Sequence, residues 1–187
     1  MKITMISTGG TIEKTYNELD GSLSNYSSVM VRIINSLRLP DLEIMQQSII
    51  FKDSLDMDDN DREIIQRIVN QAMKSSEAVI ILHGTDTLEI TGEKLYNEIE
   101  KPACPIILTG AMQPFVFKDT DAMQNVTEAL LAARLLTPGI YAVMHNRVLA
   151  FPNVKKDRKA GTFIKTCLLY TSPSPRDRTR SRMPSSA

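Results

Sequence analysis

With 187 residues, 42% of them hydrophobic and 24% charged, and a formal net charge of zero, the chain is long enough for one domain with a self-sufficient core. That ordinary balance excludes a disordered or fibrous chain and gives no electrostatic case for nucleic acid. No run approaches the roughly 18 apolar residues of a membrane helix, and the two cysteines, Cys104 and Cys167, form neither a disulfide framework nor a metal-ligand spacing, which points to a reducing, cytoplasmic setting.

The first predicted element is a strand through Ile3, Met5 and Ile6 that stops at Ser7-Thr8-Gly9-Gly10-Thr11-Ile12. Apolar residues giving way to small, hydroxylated and glycine residues mark a strand ending in a sharp turn. Residues without Cβ atoms let the backbone turn tightly and a substrate come close, which presents Thr11 as the leading candidate for a nucleophile. A cleaved leader is not expected, because its removal would discard this strand. Glu13 to Ser28 is polar, contains Asp20-Gly21, and reads as a mobile loop of the kind that covers binding sites, with Tyr16 and Tyr26 as its aromatic residues. Val29 to Leu37 has helical spacing and ends before Pro40. A strand over Leu42 to Phe51 leads into Lys52-Asp53-Ser54-Leu55-Asp56-Met57, and a helix from Asp58 to Lys74 opens on acidic residues.

Ala78-Val79-Ile80-Ile81-Leu82 is a continuous apolar run, the mark of a parallel strand buried on both faces. It ends in His83-Gly84-Thr85-Asp86-Thr87 and is followed by a helix over Thr87 to Ile99. A further buried strand, Cys104 to Leu108, ends in Thr109-Gly110-Ala111-Met112; Asp121 to Leu136 reads as a helix with Asp121 near its cap, and Ile140 to Met144 as the next strand. Strand and helix alternate throughout, which predicts an α/β fold with a parallel sheet covered by helices on both faces.

From Leu168 the sequence is rich in Pro, Ser and Arg without periodicity, as expected of a disordered tail. Its arginines Arg176, Arg178, Arg180 and Arg182 stand against Asp177, so with a total of zero the remainder carries a net charge of −3. The tail resembles a translated vector or adapter read-through. The expected organisation is one domain over 1–167 and a non-native tail over 168–187.

Small and hydroxylated residues follow strand after strand, and open α/β sheets bind ligands outside the carboxyl ends of their strands. Thr11, Ser54, Thr85-Asp86 and Ala111 are therefore expected to converge. A threonine hydroxyl is a weak nucleophile that needs a base nearby. No Ser-His-Asp arrangement offers itself, and His83 at a strand end reads as structural. The chain offers instead Thr85-Asp86 and a lysine pair, Lys155 and Lys156, able to relay a proton, while main-chain N–H groups at the glycine turns supply oxyanion donors. The composite is acyl transfer to a hydroxyl without a metal or organic cofactor.

Thr8-Gly9-Gly10-Thr11-Ile12, His83-Gly84-Thr85-Asp86-Thr87 and Gly110-Ala111-Met112, in this order, resemble the signature segments of the bacterial-type L-asparaginase and glutaminase family. The resemblance runs from about Lys2 to Phe163 and covers the family's N-terminal domain, which implies a three-layer, flavodoxin-like (Rossmann-like) fold. It implies hydrolysis of a small side-chain amide to the acid and ammonia, with Thr11 as nucleophile and Tyr26 of the loop assisting it, Tyr16 in reserve. Ser54 then holds the substrate α-carboxylate and Asp86 its α-amino group. Thr85, Asp86 and Lys156 form a second catalytic group, Lys156 being preferred to Lys155 because it stands two residues after Val154. Gly10 and Gly84 line the substrate, and Ala111 places its carbonyl near the leaving amide. The resemblance also implies a homo-oligomer.

Three departures stand out. Leu55 occupies a position where many members have a polar residue, the loop around Tyr26 lacks the glycine that usually follows, and the family's second domain is absent, so that the chain resembles the short, single-domain members. The alternatives are a non-catalytic module that binds an amino acid or amide, and an N-terminal fragment of a two-domain asparaginase. Binding alone does not need Thr11, Thr85, Asp86 and Lys156 together. The tRNA-dependent amidotransferase relatives share the motifs, but the acidic body argues against them. Thr8-Gly9-Gly10-Thr11 is also not the dinucleotide fingerprint.

Overall fold

The computed structural model describes residues 1–19, 21–25 and 28–166; Tyr26, Cys167 and the tail lie outside the described residues. A six-stranded sheet has the order β4-β1-β5-β6-β7-β8, built from β1 (Lys2–Gly9), β4 (Glu43–Lys52), β5 (Ala78–Leu82), β6 (Pro105–Thr109), β7 (Gly139–Met144) and β8 (Arg147–Ala150). All neighbours are parallel except β7 and β8. β5 and β6 are buried along their whole length, which explains why both read as unbroken apolar runs: each face meets a helix layer.

The helices are α1 (Met30–Ser36), α2 (Asp59–Ala72), α3 (Leu88–Glu98) and α4 (Ala122–Leu135). Ile65 and Val69 of α2 and Leu88 and Leu95 of α3 pack with Ile6, Ile81 and Ile106 on one face. Met30 and Ile33 of α1 and Val126 and Ala129 of α4 pack with Ile3, Met5, Ile80 and Ile107 on the other. Alternate residues of β1 and β5 thus serve opposite cores, as the two-residue repeat of a strand requires. α2 starts on a capping box in which Asp58 accepts the Asp61 N–H and Asp61 accepts the Asp58 N–H. The three-layer, flavodoxin-like arrangement is the one expected. Among the described residues no helix is long and apolar enough to cross a membrane.

Two expectations need correction. The segment Glu13 to Ser28 is not plain loop: β2 (Thr15–Tyr16) and β3 (Leu23–Ser24) pair antiparallel, closed by Gly21 N–H to Asn17 O at 2.8 Å and Asn17 N–H to Ser22 O at 2.9 Å. Strands of two residues carry no periodicity to read. The alternation of strand and helix also stops at β7. There the chain turns through His145 and Asn146, both at positive φ (52° and 58°), as a two-residue hairpin requires, and enters β8. The hairpin β9 (Val154–Asp157) with β10 (Thr162–Lys165) follows. A turn without glycine leaves little signal in the sequence.

Gly10 and Gly161 both have positive φ, but a Cβ on Gly10 would lie 2.3 Å from Gly84 Cα, whereas one on Gly161 would meet nothing within 4 Å. Gly161→Ala is expected to cost about 1 kcal/mol, the penalty of the left-handed conformation alone. Gly10→Ala is expected to cost at least about twice that, because backbone must also move. Urea unfolding of the two variants beside the wild type checks the difference.

Candidate active site

The chain leaves β1 toward β4 on one side and returns to β5 on the other. The carboxyl ends of β1 and β5 therefore flank the point where strand order reverses, the place where open α/β sheets bind ligands. The segments after these strands touch. A Cβ on Gly84 would lie 2.5 Å from Ser54 Cβ and 2.6 Å from Ser54 Oγ, and Gly10 has no more room on the other side of Gly84. The Gly10 N–H donates to Lys52 O at 2.9 Å, and the Thr87 hydroxyl donates to Ser54 O at 2.8 Å. The turn after β1, the turn Ser54–Asp56 after β4 and the start of α3 thus share one rim.

Thr11 opens a short 3-10 turn, Thr11–Glu13, and is half-buried. No partner of its hydroxyl lies among the described residues. Opposite this rim, β9 delivers Lys156: its Nζ donates to Thr85 Oγ1 at 2.8 Å and to Asp86 Oδ1 at 3.0 Å. Lys155, one residue earlier in the strand, is exposed, as alternation of side chains dictates. Of the two tyrosines, Tyr16 is exposed at 60% and Tyr26 lies outside the described residues.

Ala111 is buried beside the same turn, since a Cβ on the preceding Gly110 would approach His83 O to 2.3 Å and Thr85 Cγ2 to 3.4 Å. The loop holding Ala111 is fixed by residues that sequence reasoning missed. The Asp121 carboxylate accepts the Met112 N–H at 3.0 Å and the Gln113 N–H at 3.1 Å. It also binds His145 Nε2 and Asn125 Nδ2, each at 2.8 Å. Asn125 reaches Gly110 O at 2.9 Å with the same Nδ2 group. Burial pushes the Asp121 pKa up, but these donors outweigh it and hold the carboxyl below its usual range. Asp121 precedes α4 without capping it by its side chain; its spacing suggested a cap and concealed the longer-range role.

Glu13, Lys14 and Arg158 were also missed. The buried Glu13 carboxyl accepts the Ser7 and Ser28 hydroxyls, joining β1 to the far end of the loop, and burial pushes its pKa up. Lys14 Nζ meets Asp53 Oδ2 at 2.6 Å, an ion pair that holds the Asp53 carboxyl below its usual range. Arg158 Nη1 lies 3.1 Å from the same Asp86 Oδ1 that Lys156 contacts. Nothing in a single charged residue of a basic stretch singles it out. A cavity of about 410 Å³ opens beside Lys156 and Arg158, bounded by Met112, Asp119, Asp121 and His145. A larger one, about 530 Å³, lies between Tyr96, Ile99, Gly139 and Phe151 and holds none of the candidate residues.

A family model described as "Asparaginase, N-terminal" matches residues 2–162. The chain is 30% identical over 161 residues to the L-asparaginase of Thermococcus kodakarensis, covering 86% of this chain and 49% of that protein. It is 29% identical over 161 residues to a probable periplasmic L-asparaginase of Haemophilus influenzae, covering 82% and 46%. The solved structure of the thermostable L-asparaginase from Thermococcus kodakarensis superposes with a TM-score of 0.81 at 30% identity, over 88% of this chain and 51% of that one. The chain therefore spans about half the length of the relatives it matches.

His83, fully buried behind the Thr85-Asp86 turn, has its pKa lowered to about 4 by desolvation, with the Arg62 charge acting in the same direction and the Gly84 carbonyl opposing it. Between about pH 4 and 6.5 the unfolded histidine binds more protons than the folded one. Its contribution is full above pH 6.5 and is lost as pH falls toward 4, at most about 3 kcal/mol. Glu13, with a raised pKa, runs in the opposite direction above pH 4.5. Subtracting the urea stability of His83→Gln from that of the wild type at each pH removes that common part. The difference is expected to fall across this window.

Proposed function

The chain belongs to the asparaginase family through its N-terminal domain, and on that premise we propose that it is an amidohydrolase that converts L-asparagine, or a related small amide, to the acid and ammonia. The observation that carries this reading is the Lys156 ammonium set 2.8 Å from the Thr85 hydroxyl and 3.0 Å from the Asp86 carboxylate, on the rim where Gly10 meets Gly84. A module that only binds its ligand has no use for a lysine aimed at a second hydroxyl.

In this reading Ser54 and Asp86 hold the substrate carboxylate and α-ammonium, with Gly10 and Gly84 admitting it against the backbone. Thr11 Oγ attacks the side-chain amide carbon while its proton passes to the departing nitrogen, assisted by Tyr26, and Ala111 O accepts from the amide N–H. Main-chain N–H groups of the glycine turns stabilise the oxyanion. The C–N bond breaks, ammonia leaves, and an ester to Thr11 remains. Water, oriented by the Thr85 hydroxyl that the Lys156 ammonium holds in place, attacks that ester; the bond from the acyl carbon to Thr11 Oγ1 breaks, and the water proton passes to Thr11 Oγ1 and restores its hydroxyl. The residues draw on no metal or organic cofactor. Homo-oligomerisation belongs to the same reading and rests on resemblance. The buried, free thiol of Cys104 supports a reducing, cytoplasmic setting, and the match over 2–162 supports 1–167 as the working domain.

Ammonia release from L-asparagine, with L-glutamine in parallel, tests the proposal. Thr11→Ala is expected to abolish it, and Thr85→Val, which keeps the shape but removes the hydroxyl that Lys156 contacts, to lower kcat by roughly 10²–10⁴. Release that persists in Thr11→Ala removes Thr11 as nucleophile; no release from wild type, with binding retained, favours the sensor reading.

A further inference from the structure

Gly9 and Gly10, at φ of 92° and 80°, let the chain leave β1 toward Thr11, but glycine is also the residue with the widest choice of backbone conformations. The contact of Gly10 with Gly84 holds the turn before Thr11. Glu13 closes it on the far side. Its main-chain N–H donates to Gly10 O at 3.1 Å, and its Oε2 accepts the Ser7 hydroxyl, whose Oγ in turn takes the Gly9 N–H at 3.4 Å. The link from Ser7 to Glu13 thus spans all of Thr8-Gly9-Gly10-Thr11-Ile12. Oε1 accepts the Ser28 hydroxyl, and Ser28 Oγ takes the Met30 N–H at 3.2 Å where α1 begins. One carboxylate therefore joins β1, the turn that carries Thr11 and the point where the loop re-enters the fold. The ammonium of Lys14, the next residue, meets Asp53, and among the described residues no cation pairs with Glu13.

This arrangement is costly. Glu13 is fully buried, and burial pushes its pKa up against the hydrogen bonds from Ser28, Ser7 and the main chain at Gly9 and Val29. The unfolded carboxyl gives up its proton at lower pH than the folded one, so this group lowers stability as pH rises above 4.5. Packing alone gives no reason for a carboxylate here. Resting on the hydrolase reading above, we propose that Glu13 is a positioning residue for the nucleophile: acting through Ser7 and Ser28, it fixes where the Thr11 hydroxyl stands and makes no contact with the substrate itself. A reacting group displaced by about 1 Å costs on the order of a hundredfold in rate. Ser54 and Asp86, which hold the substrate in that reading, are set on other elements, so the loss of Glu13 falls on kcat rather than KM.

The full chain is compared with Glu13→Gln, Glu13→Ala, Ser7→Ala and the double variant of Ser7 and Glu13 to alanine, reading kcat and KM for ammonia release from L-asparagine together with the Tm near pH 7. Glu13→Gln keeps the shape but offers one acceptor and one donor group in place of two acceptors. It is expected to lower kcat about tenfold and Glu13→Ala about a hundredfold, with KM kept within about twofold. The Tm of Glu13→Gln is expected to equal or exceed that of the wild type, because the buried charge is gone. A residue that only supports the fold shows the reverse, a lower Tm with kcat per folded molecule kept. Ser7→Ala is expected to lower kcat as well, and to add less than about twofold on top of Glu13→Ala, since both changes break the same link. Unchanged kcat in both Glu13 variants, a loss residing in KM, or a kcat that falls only in step with Tm overturns the role of Glu13 and leaves the hydrolase reading standing. No ammonia from the wild type overturns that reading and this role with it.

Discussion

The contact between Gly10 and Gly84 exists because neither residue has a Cβ: one on Gly10 would lie 2.3 Å from Gly84 Cα, and one on Gly84 would meet Ser54 at 2.5 Å. β1 and β5 run side by side, with Ser7 opposite Leu82, so their exits start about one strand spacing apart. The bare backbones let those exits converge instead of splaying, and Ser54 closes against them from β4. Thr11, Ser54 and Thr85 come from sequence positions far apart, yet their separation is set by this one packing contact. Conformational freedom is needed as well at Gly10, whose φ is 80°, which directs the chain into the turn that begins with Thr11.

The other half of the site depends on α3. Its first turn follows Thr85-Asp86-Thr87 directly, and its acidic side chains hold the β9–β10 hairpin: Glu93 accepts the Asn153 N–H and Glu89 the Lys156 N–H. Phe151 lies over Gly92 with its ring against the helix backbone, and Val154 and Phe163 fill the core below. A lysine about seventy residues downstream in sequence is thereby anchored through its own main chain to the helix that presents Thr85. The first-turn Glu89 favours the helix dipole wherever its carboxylate points; here it also fixes the lysine.

Much of this was legible because strand-end chemistry is local. The apolar run Ala78–Leu82 announced both a doubly covered strand and, by its abrupt end at His83, the start of the candidate site, and apart from the short β2–β3 pair the order of helices and strands through β7 followed from periodicity. What was hidden depended on partners distant in sequence. Asp121 looks like a helix cap until the Met112 and Gln113 N–H groups and His145 are seen around it. Glu13 looks like a solvated loop residue until Ser7 and Ser28 close over it. The β7–β8 turn through His145-Asn146 was unreadable because neither residue is the glycine that usually marks positive φ. Arg158 sat among Lys155, Lys156 and Lys159, where charge alone gives no reason to separate one cation from the next.

The state of the two histidines bears on the role proposed for Lys156. His83 Nδ1 lies 2.8 Å from the Gly84 carbonyl, which only accepts, so that nitrogen carries the proton and Nε2 accepts from the Thr91 hydroxyl at 2.8 Å. Buried and with a pKa of about 4, the ring is neutral near pH 7 and has no free lone pair to take a proton. His145 is engaged on both nitrogens as well, with Asp121 at 2.8 Å and Thr162 at 3.1 Å, and serves the loop that carries Ala111. Both histidines of the chain are thus committed to holding strand ends in place. Any proton that moves at the Thr85 hydroxyl has Lys156 as its neighbour, and the β9–β10 hairpin is the element that keeps it there.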